Sequence, residues 1–416
     1  MSVASGFRVG WLREKVFAHE AKVLGARAYD AVNRWVLGQR GRPRFKGKSR
    51  GLHSLAGMDR YSALRVAADG SGLQWGQGMV LPFVLDERDP YQWWAAWHVA
   101  EGQLRYCRIV RTKIRGRWVY SAQLVLDGKP LQRYQTGDGL VGLDVGPSTI
   151  AVVSEQGAWK ETFCNDLSDK AAELRRLQRR LDRQHRAGSP SCFDEQGRHW
   201  PGQCLWTSRS RRAKQTQTKI NELHRRLAEH RTSLHGNLAN RVLGQGRIIH
   251  TEKLFYRAFQ RRYGRSVSRR APGMFIATLS RKAASAGGQV AQINTRTTRL
   301  SQACVCSAVA KKPLRQRIHR CACGAEADRD IFSAFLIRHV DPQVHPHLLD
   351  VEAAKARFTD FAAGSSVLQD SGAGRRRAVP NRRVPQALPV GYGVTRQSRS
   401  TASPQSVTDV QKGEVA

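Results

Sequence analysis

Glu252 closes a short apolar run, four cysteines fall between 304 and 323, and the segment Asp328-Arg329-Asp330 follows, all within about eighty residues. Far upstream, Val141-Gly-Leu-Asp144-Val-Gly146 supplies another carboxylate. Acidic side chains are scarce in a chain with 70 Lys+Arg against 33 Asp+Glu. Carboxylates kept at strand ends and at a helix start, amid basic sequence, point to divalent metal held against phosphate. Asp144, Glu252 and one of Asp328 and Asp330 would, if brought together from separate segments, bind two Mg²⁺ ions. One would activate water and the other would stabilise the leaving oxygen of a phosphodiester.

Each segment also has a plainer reading. Asp144 follows the apolar Gly139-Leu-Val-Gly-Leu143 and precedes Gly-Pro-Ser-Thr and the returning Ile150-Ala-Val-Val153. That is a strand, a tight turn and a second strand, the opening of an RNase H-like core with the carboxylate facing outward from the sheet, but an Asp there also serves as a turn-former. Gly246-Arg-Ile-Ile-His-Thr-Glu252 is another short strand ending in an acid. Ala327-Asp-Arg-Asp330 leads into the apolar helix Ile331-Phe-Ser-Ala-Phe-Leu-Ile337, and helix capping accounts for one of its two acids. Two residues apart, Asp328 and Asp330 are not expected to face the same way.

Cys304-Val-Cys306 and Cys321-Ala-Cys323 supply four thiolates, enough to close a tetrahedral structural Zn²⁺ site with no open position for catalysis. Both pairs are one residue shorter than the usual Cys-x-x-Cys knuckle, and His319 stands by as a substitute ligand. The loop between them carries Lys311, Lys312, Arg315, Arg317 and Arg320, which suits nucleic-acid contact. Cys107, Cys164, Cys192 and Cys204 are scattered and read as ordinary thiols.

The elements around these residues follow from periodicity. Residues 12 to 37 read as a helix, ended by the basic loop Gly41-Arg-Pro-Arg-Phe-Lys-Gly-Lys-Ser-Arg50. From about 60 to 136 short strands and turns predict a small β-domain, its clearest strand Trp118 to Leu126, with Trp93, Trp94 and Trp97 as the expected apolar anchor. Leu167, Leu174, Leu177 and Leu181 recur at helical spacing with Arg175, Arg176, Arg179, Arg180 and Arg183 on the other faces. A second helix runs from about 209 to 243, so a basic helical hairpin separates the first carboxylate from the second. It reads either as a pair of solvated amphipathic helices or as a phosphate-binding surface. The last fifty residues, from about Gly364, lack any period and read as disordered.

A formal net charge of +37 implies a polyanionic partner, though ribosomal proteins and histones share such charge. The N-terminus has no apolar leader and no stretch approaches a membrane span, so a cytoplasmic, nucleoid-associated protein without membrane contact is expected. Strand joining through tyrosine would need a His-x-His pair near Tyr256 or Tyr263, and the sequence has none in view.

Taken in order, Gly142-Leu-Asp144-Val-Gly146, Leu174-Arg-Arg-Leu-Gln-Arg-Arg-Leu-Asp182, Thr251-Glu-Lys-Leu254, Gly264-Arg-Ser-Val-Ser-Arg-Arg-Ala-Pro-Gly-Met-Phe275, Asn294-Thr-Arg-Thr-Thr298, Leu300-Ser-Gln-Ala-Cys-Val-Cys306, Cys321-Ala-Cys-Gly324 and Arg329-Asp-Ile-Phe-Ser-Ala-Phe335 resemble the TnpB (OrfB) family. These are insertion-sequence-encoded RNA-guided nucleases related to type V CRISPR effectors. The resemblance implies a RuvC-like catalytic triad of Asp144, Glu252 and Asp330, with Asp330 preferred over Asp328, and zinc on Cys304, Cys306, Cys321 and Cys323. It implies guide RNA and target DNA as partners and no small-molecule cofactor, with Arg44, Lys46, the five hairpin arginines and Arg296 as nucleic-acid contacts. The expected architecture is α/β: a basic N-terminal segment (1–50), a β-rich wedge-like domain (51–136), an RNase H-like (RuvC) nuclease domain (137–345) with the hairpin inserted at 166–243 and the zinc ribbon at 300–326, and a mostly disordered tail (346–416). The family usually begins with a longer N-terminal segment, and this chain is expected to start within it. The rival expectation is an inactive relative that only binds nucleic acid, or an accessory transposase-like protein.

Overall fold

The computed structural model describes residues 17–43, 53–57, 62–76, 78–86, 88–128, 135–167, 169–200, 210–313 and 315–365. These fall in one compact unit, Met1–Val384; a second, Pro385–Ala416, lies outside the described residues, as do Arg44 and Lys46.

Helix α1 (Ala18–Val36) leads to two small antiparallel sheets. Strands β1 (Ser54–Gly57), β5 (Leu104–Ile114) and β6 (Arg117–Leu126) form one, and β2 (Leu64–Val66), β3 (Gly72–Trp75) and β4 (Met79–Pro82) the other. Arg115 and Gly116 both take positive φ (49° and 83°) and turn β5 tightly into β6. The apolar centre of this region is Leu64, Leu73 and Cys107, flanked by Leu55, Val66, Phe83, Ile109 and Leu124. The expected tryptophan anchor is therefore corrected. Trp93, Trp94 and Trp97 lie on α2 (Pro90–Ala100), which has no fully buried residue. Asp89 caps this helix by accepting from the Tyr91 N–H at 3.0 Å and Pro90 opens it, a start signal that overrides the surrounding strand pattern.

The larger sheet holds β7 (Leu140–Val145), β8 (Thr149–Ser154), β9 (Gly157–Thr162), β10 (Ile248–Glu252) and β11 (Gln289–Ile293), in the order β11-β10-β7-β8-β9. β7, β8 and β9 run as an antiparallel meander, and β10 and β11 add in parallel on the other side of β7. Alternation assigns the faces. Val141, Leu143, Val145, Ile150, Val152 and Ile249 join one apolar cluster with residues of α4 (Arg211–Leu243) and α6 (Pro272–Ser285). On α6, Phe275, Ile276, Leu279 and Ala283 fall at three- and four-residue spacing and are buried; truncating Phe275 to Ala costs about 3–5 kcal/mol in such a setting. Ala151 and Val153 point to the opposite face, against Phe332, Ala334, Phe335 and Leu336 of α8 (Arg329–Leu336). Between β9 and β10, α3 (Ala171–Gly188) packs along α4.

Two further expectations change. Residues Val351–Ser365 form a helix, α9, whose Ala354, Phe358 and Phe361 pack on the α8 cluster, so the folded chain runs past 346. Phe361 stacks on Phe335 at 4.3 Å between centroids, burial that the compositional reading of this stretch overlooked. Cys107 and Cys164 are buried free thiols, but Cys192 is disulfide-bonded; Cys204 lies outside the described residues. Among the described residues, no helix is long and apolar enough to cross a membrane.

Candidate active site and cysteine cluster

Three elements converge on one face of the large sheet. Asp144 pairs with Ala151 within β7, so it is a strand residue and not a turn-former. The parallel register sets Leu143 beside Thr251, which brings the next residues, Asp144 and Glu252, to the ends of neighbouring strands. C-terminal strand ends of this kind are where open α/β sheets place ligands. Both carboxylates share the face of Gly142 and His250, two residues earlier on their strands. That face is the one α8 covers. A Cβ on Gly142 would lie 1.8 Å from the Ala334 carbonyl oxygen, and His250 Nδ1 is 3.2 Å from the Ile337 carbonyl. Asp330 sits one helical turn before Ala334, so the same close approach that requires glycine at 142 carries Asp330 toward Asp144.

Asp328 caps α8, its Oδ1 accepting from the N–H groups of Asp330 and Ile331 at 3.0 and 3.2 Å. Lys160 of β9 reaches both acids, 2.8 Å from Asp328 Oδ2 and 2.9 Å from Asp330 Oδ2. The expectation that the two acids cannot share a direction is thereby corrected: one ends a strand as the cap, the other opens the helix, and a single ammonium bridges them. Thr149 Oγ1 donates to Asp330 Oδ2 at 3.3 Å.

The electrostatics follow from crowding. Burial first, then the charges of Glu252 and Asp330, push the Asp144 pKa well above the ordinary carboxylate value, while Arg329 and Lys160 pull it back. Burial alone pushes Glu252 up to about 7. Burial works against the Lys160 charge, yet its bonds to Asp328 and Asp330 hold the ammonium pKa above its usual value. Carboxylates crowded in this way are a candidate for cation binding. Asp144 and Glu252 are half-buried as residues. Their donor set of hard oxygens fits Mg²⁺, which takes one or two carboxylates and keeps several waters.

The four cysteines form a second cluster. Their sulfur atoms all lie within 4.8 Å of one another, the one such group of possible ligand atoms among the described residues; the three carboxylates are near enough to repel but do not close to that distance. Cys304 faces Cys323 at 3.6 Å and Cys306 faces Cys321 at 3.5 Å. Soft thiolates in a closed quartet fit Zn²⁺. A backbone N–H from Cys323, followed by bonds from neighbouring thiols, brings Cys321 down to about 7, whereas burial raises Cys304. His319 does not stand in for a thiol. It is buried, with Nε2 3.3 Å from Cys304 Sγ, and burial and Lys312 lower its pKa to about 4. Its ring stacks on Phe332 at 4.1 Å, which ties the cysteine cluster to α8 two residues beyond Asp330.

Of the sequence-derived nucleic-acid contacts, Arg175, Arg176, Arg179, Arg180 and Arg183 are all exposed along α3, and none is within ion-pair distance of a carboxylate among the described residues. Arg296 is exposed on the short α7 (Thr295–Thr298). Sequence reasoning missed Lys160 and Thr149, whose strand positions carry no motif, and also the groove lined by Arg262, Tyr263, Arg265, Ser266, Arg269 and Arg270 on α5 (Tyr256–Arg270). Only the density of Arg in that stretch signalled the groove.

Residues 273–337 match the family model Cas12f1-like, TNB domain. This stretch holds the four cysteines and Asp330 but neither Asp144 nor Glu252. Two Cas12f structures are similar to the chain at lower level. A Cas12f1-sgRNA-target DNA complex is 14% identical, covering 78% of this chain and 71% of that one with a TM-score of 0.47. A CRISPR-Cas12f ternary complex is 13% identical, covering 77% and 70% with a TM-score of 0.32. No curated protein matches the chain.

Proposed function

We propose that the chain is an RNA-guided DNA endonuclease of the TnpB type, hydrolysing phosphodiester bonds at a Mg²⁺-dependent site made by Asp144, Glu252 and Asp330. The observation that carries this reading is the electrostatic crowding of the three carboxylates, from two adjacent strand ends and one helix start, in a chain whose surface is otherwise basic. The sheet order, an antiparallel meander followed by two parallel strands beside the first, supports an RNase H-like core. In that site Mg²⁺ supplies a polarised water and a counter-charge for the leaving oxygen. The chain's own part is to fix the carboxylates, while the exposed Arg175, Arg176, Arg179, Arg180 and Arg183 of α3, the α5 groove and Arg296 track the phosphates of guide RNA and target DNA. Zn²⁺ on Cys304, Cys306, Cys321 and Cys323 would serve structure alone. The presence of all three carboxylates favours this over a protein that only binds nucleic acid.

The test is guide dependence. RNA that co-purifies with the full chain is sequenced, and a DNA matching its guide segment is offered with Mg²⁺ and with chelator. Cleavage that needs Mg²⁺ and moves to a new sequence when the guide is rewritten is expected. Binding without any cleavage across matched targets would favour the inactive-relative reading.

A further inference from the structure

Lys160 lies on β9, belongs to no motif, and has a place in the site that the three-carboxylate reading does not require. Its ammonium is 2.9 Å from Asp330 Oδ2 and 2.8 and 3.0 Å from the two oxygens of Asp328. The side chain is 23% exposed and that of Asp330 13%, so the contact is largely shielded from solvent. Asp328 is itself immobilised, because its Oδ1 is committed to capping α8. The ammonium is thus tied to a fixed carboxylate, on a strand at the edge of the same sheet that carries Asp144.

The two oxygens of Asp330 are treated differently. Oδ2 takes both neighbours, Lys160 and Thr149 Oγ1. Oδ1 has only the Arg329 guanidinium at 3.7 Å, beyond hydrogen-bond range. A carboxylate with one oxygen held by two partners and the other not hydrogen-bonded is fixed so that the second oxygen can turn to a cation. Hydrogen-bonded partners of this sort orient metal-binding carboxylates, and their loss typically costs 10–100-fold in metal affinity. Asp330 needs such support, because it stands in the first turn of a helix and two side-chain torsions, the second of them broad, set the direction of its carboxyl.

We propose that Lys160 is a positioning residue, which together with Asp328 and Thr149 holds Asp330 so that Oδ1 faces the divalent cation. This rests on the metal-dependent reading of the Asp144, Glu252 and Asp330 site. It also gives Asp328 a role besides its cap, that of anchoring the ammonium. The arrangement is the reverse of a lysine that merely fills an empty cation site, for such a lysine would compete with the metal.

The experiment is a Mn²⁺ titration of the zinc-loaded full chain, read by electron paramagnetic resonance of free Mn²⁺, with Mg²⁺ activation of cleavage measured alongside. Lys160→Met is expected to weaken Mn²⁺ binding about 10-fold and to move the Mg²⁺ midpoint by a similar factor. Lys160→Arg, which keeps charge and donors, should recover most of that loss. Asp328→Asn retains a good helix cap and should weaken Mn²⁺ binding in the same direction, which decides the matter if Lys160→Met does not fold. Wild-type or tighter Mn²⁺ binding in either folded variant overturns the proposal and makes Lys160 a simple counter-ion. Asp144→Ala separates the two levels: if it binds Mn²⁺ as the wild type does, the carboxylate site itself is wrong, whereas a loss there with no loss at Lys160 or Asp328 removes this inference alone.

Discussion

Glu252→Gln should make the metal-free protein more stable, and the size and pH dependence of the gain follow from the site. Burial raises the Glu252 pKa from its ordinary 4.5 to about 7. In the folded state the side chain therefore keeps its proton to higher pH than in the unfolded chain. The folded state binds more protons between these values, so this group's contribution falls as pH rises from 4.5 to about 7 and is then constant. At about 1.4 kcal/mol per pH unit the ionised carboxylate costs at most about 3.5 kcal/mol. Removing the charge also relieves Asp144, in the same direction. The neutral, isosteric Gln should raise the melting temperature by roughly 3–5 °C at pH 8 in chelator, and by almost nothing near pH 4.5. Millimolar Mg²⁺ should reverse the order, since only the wild type gains binding energy from it. Thermal unfolding at the two pH values, with and without Mg²⁺, measures all of this. An equal effect of the substitution at pH 8 and pH 4.5 would refute the claim that burial opposes ionisation of Glu252.

Gly142→Ala should displace α8, because the added Cβ meets the Ala334 carbonyl oxygen at 1.8 Å; overpacking of this kind costs about 1–3 kcal/mol, and cleavage should be lost while the fold survives, as read by circular dichroism and nuclease assay. Metal analysis should find one zinc per chain, and replacing Cys321 and Cys323 by Ser should release it and lower the melting temperature, because folding and metal binding are coupled in such modules. Replacing Arg176 and Arg180 by Gln should weaken nucleic-acid binding equally for all targets and reduce the slope of log affinity against log salt by about 2; a changed sequence preference at unchanged slope would contradict backbone contact.

The sequence made the carboxylate strands legible because their apolar residues alternate: Val141, Leu143 and Val145 on one face leave Gly142 and Asp144 on the other. The hairpin helices were legible for the same reason at helical period. Lys160 was not, since its partners are 168 and 170 residues away and its strand, Gly157–Thr162, mixes apolar and charged residues without a motif. The tryptophans of α2 misled because aromatic density was weighed above the Asp89-Pro90 start signal. Helix α9 was read as part of the tail because its fit to the core depends on Phe358 and Phe361 meeting Phe335, contacts between distant parts of the chain. The near approach of Asp330 to Asp144 was expected only from the family resemblance. Its physical cause, a glycine opposite a helix carbonyl, is visible only in three dimensions.

The most direct test of the central claim is Asp144→Ala in the full chain with its RNA, assayed together for Mg²⁺-dependent cleavage of a matched DNA and for RNA affinity. The account predicts cleavage reduced to background and RNA affinity unchanged, because one ligand is removed from the metals while the basic surfaces are untouched. Cleavage at the wild-type rate would contradict it.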